Sequence, residues 1–135
     1  MIGEKRLLTN DIQKILNFAS KFNDIINRTN EEFEKKGKFT KKLALMFFKK
    51  GSGMSIKDWL EYGSNLTKNL NDMDKFEETI LDLKVKLNNF INYLKKAQES
   101  AKKFLKDPEE LKETLERLES QEKLLNAFIK EIENL

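Results

Sequence analysis

Residues 76–132 read FEETILDLKVKLNNFINYLKKAQESAKKFLKDPEELKETLERLESQEKLLNAFIKEI. Alternating steps of four and three from Phe76 land on Ile80, Leu83, Leu87, Phe90, Leu94, Ala97, Ala101, Phe104, Pro108, Leu111, Leu115, Leu118, Glu122, Leu125, Ile129 and Ile132. Only Pro108 and Glu122 interrupt the apolar run. Such steps average about 3.5 residues, the period of a helix seam packed against other helices. Asp107-Pro108-Glu109-Glu110 punctuates it. Asp is a good N-cap, Pro suits the first helical position, and acids in the first turn favour the positive end of a helix dipole. The signature predicts two helices folded back as an αα-hairpin, although the unbroken phase across Pro108 also fits one kinked helix.

The same track recurs near the start, through Leu8, Ile12, Ile15, Ala19, Phe22, Ile26, Thr29 and Phe33. Leu16, Phe18 and Ile25 widen it beyond a two-stranded seam, which suits a helix inside a bundle. Asn10 and Gln13 are spaced as a capping pair. Gly37 is a natural stop. Between the two tracks lie two shorter helices. The first contains Leu43–Phe48, six apolar residues bordered by lysine pairs, with Thr40 as candidate cap. A helix apolar all round is expected to be buried. Gly51 and Gly53 end it and predict a flexible loop. The second starts at Ser55, with Asp58 placed to receive a capping bond, and sets Ile56, Trp59, Gly63, Leu66, Leu70 and Met73 on one face. Gly63 costs about 1 kcal/mol against Ala in mid-helix, so it predicts the close approach of another helix.

Composition supports an all-α reading of the 135 residues as one helical-bundle domain. Leu, Ile, Phe and Val total 40 residues, of which one is Val. That is too apolar for a disordered chain and too poor in β-branched residues, Pro and Gly for a sheet protein. The predicted fold is a bundle of three long and two short helices with a C-terminal αα-hairpin. Residues 1–75 hold 15 basic and 10 acidic residues, a net +5, and residues 76–135 hold 11 and 13, a net −2. The chain is thus a mildly basic half followed by a heptad-patterned acidic half. Lysine outnumbers arginine 23 to 3, and Asn occurs 13 times, a bias of AT-rich genomes that weakens lysine as evidence about partners.

The chain has neither Cys nor His. This removes disulfides, thiolate metal sites, the commonest general base and the commonest metal ligand. Its acids sit mainly where helix starts need them. NDMDKFEE, residues 71–78, lacks the central glycine and final acid of a calcium loop. No glycine-rich phosphate loop exists. The expectation is a protein that is not an enzyme, with no cofactor, no metal and no small-molecule substrate. No apolar run approaches the ~20 residues of a membrane span. The first 30 residues carry Glu4, Asp11 and Asp24 and lack the apolar centre of a signal peptide, so the expected location is intracellular and soluble, the cytoplasm or, for a viral source, the virion.

Two functional classes follow. The leading one is a non-enzymatic structural or interaction protein (an assembly subunit, adaptor or inhibitor of the kind common in viruses and mobile elements) working through helix faces, by self-association or on a protein partner. Its candidate interface residues are Trp59 and Tyr62, with Phe47 and Phe48 as an aromatic docking patch, and Leu118, Glu122, Leu125, Ile129 and Ile132, where a thin apolar stripe with wide charged flanks suits an edge helix. Glu122 within the seam would set register or partner count. The alternative is a nucleic-acid-associated protein gripping phosphates through Lys35, Lys38, Lys41, Lys42, Lys49 and Lys50, a salt-dependent and sequence-blind contact. With only Arg6, Arg28 and Arg117 present, bidentate reading of base edges is not expected.

Overall fold

The computed structural model describes residues 9–135, with side chains from residue 11. Leu8 of the first track and the Asn10 half of the expected capping pair lie outside the described side chains. Five helices occupy the described chain: α1 (Thr9–Glu34), α2 (Lys38–Ser52), α3 (Ile56–Asn71), α4 (Met73–Phe104) and α5 (Pro108–Glu133). All are α-helices, three long and two short, as the periodicity implies.

Side-chain caps set three of the starts. Ser55 Oγ accepts from Asp58 N at 3.2 Å and opens α3. Asp72 accepts from Asp74 N at 3.0 Å and opens α4. Asp107 accepts from Glu109 N at 3.2 Å, with Pro108 at the first turn of α5. Helix α2 departs from expectation. It begins two residues before Thr40, on Gly37 in extended conformation with no side-chain cap.

The break at 105–107 is a hairpin turn. Helices α4 and α5 pack along each other, and Gln98 of one donates to Glu122 of the other at 2.7 Å. Helix α5 also runs antiparallel to α1. Phe18 stacks on Phe128 at 5.2 Å, Lys14 lies 4.0 Å from Glu131, and Arg117 lies 3.5 Å from Glu32. Helices α2 and α3 together make the remaining corner. Going backwards from Tyr62 to Phe47, their partners climb α4: Lys86 over Tyr62, Phe90 on Trp59, Tyr93 on Gly51 and Phe47. They are laid in series, both antiparallel to α4, and α3 also packs on α1 at Phe22. The five helices therefore form an up-down-up-down bundle whose second strut is broken in two. Short connections of this kind place consecutive helices as antiparallel neighbours.

The broken strut is where the core is densest in rings. Phe22, Trp59, Phe90, Phe48 and Tyr93 meet edge to face at centroid distances of 4.7–5.9 Å, and Phe33 caps Phe48 at 5.5 Å. Trp59 is fully buried, and its indole N–H donates to Ser52 Oγ at 2.9 Å. Ser52 Oγ in turn donates to Phe48 O at 2.8 Å. The segment around Gly51 and Gly53 is thus a closed corner rather than the flexible loop expected from its glycines. Among the described residues Gly53 alone takes a positive φ, 88°, and it returns its N–H to Lys49 O at 2.9 Å. Gly63 serves the close approach predicted for it. A Cβ there would overlap Asn23 Oδ1 and sit 3.0 Å from Ile26 Cδ1 of α1.

Candidate interaction surface

Helix α2 carries KFTKKLALMFFKKGS. Its inner side is settled by Phe48 and Ser52, both fully buried, with Ala44 and Leu45 packed against the core beside them. Steps of four, three and four place Phe39, Leu43, Met46 and Lys50 on one stripe of a helix, and that stripe lies opposite Phe48. Phe39 is 74% exposed, Leu43 51% and Met46 61%. The expectation that Leu43–Phe48 is buried throughout is therefore corrected: α2 is half of an outer strut, only one of its sides meets the core, and its second apolar stripe faces outward.

Lys42 and Lys49 edge this stripe and Lys50 ends it. Lys42, Lys49 and Lys50 are exposed and have no acidic partner within 4 Å among the described residues. On the other edge, half-buried Phe47 leans on Tyr93 and borders a shallow depression over the end of α4, lined by Lys96, Glu99, Ser100, Lys103 and Phe104. Phe104 is 71% exposed. The apolar surface of α2 thus continues across to α4, with ammonium groups on both sides.

The six lysines expected to grip phosphates do not share one face. The chain breaks at 35–37, which takes Lys35 off the stripe of α2. Lys35 Nζ is held by Glu32 at 3.1 Å and Lys41 Nζ by Glu34 at 2.7 Å. Lys38, Lys42, Lys49 and Lys50 remain exposed. Glu32 is a small hub: Arg28 lies 3.0 Å away and Arg117 reaches it from α5 at 3.5 Å. Burial alone would raise its pKa, but Lys35, Arg117 and Arg28 together hold the carboxyl below its ordinary value.

The residues expected to form a protein interface lie within the bundle or on its rims. Trp59, Leu125 and Ile132 are 1% exposed or less, and Leu118 is buried. Ile129 packs against the core. Glu122 is half-buried and spends its carboxylate on Gln98. Tyr62 leans on Trp59 and Phe22, and its hydroxyl is enclosed with no hydrogen-bond partner. The reason is geometric. The stripe of α5 looked thin for a packed helix, but it fills the groove between α1 and α4, where one seam serves two neighbours. The surface that sequence reasoning passed over had a signal of its own: α2 holds two apolar stripes on opposite sides, and a helix at the rim of a bundle buries one.

Among the described residues no group of three or more carboxylates could hold a metal ion, and no helix is long and apolar enough to cross a membrane. Compared with protein-family models, curated proteins and solved structures, the chain matches none.

Proposed function

We propose that this protein is a non-enzymatic interaction module that docks a protein surface on the lysine-edged apolar face of α2. The observation that carries the reading is the exposure of Phe39, Leu43 and Met46 as a continuous stripe on a helix whose opposite side is already anchored by Phe48. Burying a large apolar side chain is worth about 1.5–3 kcal/mol, and three such side chains left in water on one stripe are a standing source of binding free energy. The surrounding ammonium groups favour a partner surface with carboxylates and speed encounter with it. A photo-crosslinking residue at Leu43 or Met46, compared with one at exposed Ser120 of α5, tests this in extracts of the native host. A discrete protein product at the α2 positions and none at Ser120 is expected. Equal labelling at all three would contradict it.

The second reading is phosphate contact at the same end of the molecule. It is favoured by Lys96 and Lys103 of α4, which line the Phe47 depression, and by the exposed Lys42, Lys49 and Lys50 of α2. Binding to labelled single- and double-stranded nucleic acid across a salt series tests it. Retention that falls steeply with salt and is lost on charge reversal at Lys42, Lys49 and Lys50 supports it, and no retention at low salt refutes it.

A further inference from the structure

A second outward stripe lies on α4. Asp74, Glu78, Leu81 and Val85 are all exposed, with Leu81 at 58% and Val85 at 55%. Their spacing, steps of four, three and four, is the spacing of Phe39, Leu43, Met46 and Lys50 on α2. At 1.5 Å per residue each stripe is about 16 Å long. The order of chemistry along them is reversed: α2 runs from apolar to cationic, and α4 runs from anionic to apolar. Laid antiparallel, the two stripes set Phe39 against Val85, Leu43 against Leu81, Met46 against Glu78 and Lys50 against Asp74. Lys49, beside Met46, then comes near Glu78. Laid parallel, they would set Phe39 on Asp74 and strand Lys50 on Val85. Glu77 and Asp82 add negative charge to the rim of the α4 stripe. Lys84 also lies on that rim, and Asp82 is already engaged by Lys86 at 3.1 Å.

Within one chain these stripes cannot meet. Helix α2 is fixed beside the other half of α4 by Phe48 on Phe90, Gly51 on Tyr93, and the bond from Asn92 Nδ2 to Gly51 O at 3.0 Å. We propose that the α2 face of one copy docks antiparallel on the α4 face of a second copy, head to tail. The inference rests on reading α2 as an interaction face and supplies its occupant. Because the two patches differ, each docked pair leaves one patch of each kind free, so the assembly grows as a chain or closes as a ring. One helix against one helix sits at the small end of specific interfaces, below about 1,200 Å² in total, so the association is weak, concentration-dependent and reduced by salt.

Sedimentation with mass determination tests this on the full chain, in a concentration series reaching about 1 mM, where an interface of micromolar-to-millimolar affinity is populated. Wild type should exceed the mass of one chain at high concentration and return towards it at high salt. The double variant Leu43→Glu/Met46→Glu should be monomeric, and so should Leu81→Lys/Val85→Lys. All four positions are more than half exposed, and an unchanged melting curve confirms that each variant folds. Mixed in equal amounts, the two variants should pair through the one intact α4 face and the one intact α2 face and exceed the mass of one chain. Wild type that stays monomeric throughout overturns the proposal. So does self-association of Leu81→Lys/Val85→Lys alone, which would mean that α2 meets α2. A crosslink from Leu43 to a different protein, with wild type monomeric, removes the second copy as occupant and leaves the reading of α2 standing.

Discussion

Helices α2 and α3 are nearly equal in length and are laid end to end along the same neighbour, yet they treat their outer sides differently. Helix α3 turns Lys57, Glu61, Ser64, Asn65 and Lys68 to solvent and keeps Trp59, Leu66 and Leu70 inside. Helix α2 keeps Phe48 inside and turns Phe39, Leu43 and Met46 out. Folding asks one apolar stripe of each, because each forms half of one strut. The second stripe of α2 is therefore surplus to the fold, and surplus apolar surface on a helix is what a docking face consists of. The difference can be probed by asking which substitutions each helix tolerates.

The largest effect is expected on the inner side of α3. Trp59→Ala should cost about 3–5 kcal/mol in chemical denaturation, because it leaves a cavity among Phe22, Phe90 and Tyr62 and releases Ser52. Gly63→Leu should cost about 3 kcal/mol by the same measurement, since Asn23 and Ile26 of α1 occupy the space its side chain needs. Tyr62→Phe points the other way. The hydroxyl is buried without a partner, so its removal should leave stability unchanged or slightly raised in a thermal melt. The smallest effect is expected on the outer side of α2, where Leu43→Glu/Met46→Glu should move stability by no more than about 0.5 kcal/mol. A loss of several kcal/mol from the outer pair would break the contrast between the two helices.

Alkaline titration sharpens the account of the shared core. Burial pushes the Tyr93 phenol up to about 12, with Arg117 pulling the other way, and burial also raises Tyr62. A raised phenol favours the neutral form in the folded state. Its contribution is fully present below pH 10, the ordinary value, and is lost as pH rises from 10 to about 12, where the unfolded chain ionises first. The midpoint of denaturation should therefore fall across that window. Tyr62→Phe/Tyr93→Phe should flatten the fall, as followed by circular dichroism.

Most of the frame was legible in the sequence because caps and breakers act locally. Ser55, Asp107 and Pro108 set helix starts wherever the chain goes next, and Gly63 in mid-helix had to earn its place through a close neighbour. What was not legible depends on the third dimension. The seam counted through Glu122 and Ile129 drifts on α5, whose buried residues are Leu118, Gln121, Leu125, Phe128 and Ile132. A straight helix turns by 3.6 residues, about 20° per heptad away from a strict count of seven, and Phe128 takes the inner place beside Phe18. Periodicity names stripes but does not say how many neighbours each one meets. It therefore cast the doubly employed stripe of α5 as a free edge and the half-employed α2 as a core helix.

Docking of the α2 stripe on a second copy is probed by hydroxyl-radical footprinting of wild type at dilute and at associating concentrations. Oxidation of Phe39 and Met46 should slow in the concentrated sample, together with that of Leu81 and Val85, while Met54 at the α2–α3 corner reacts as before. Oxidation of Met46 at one rate in both samples would contradict it.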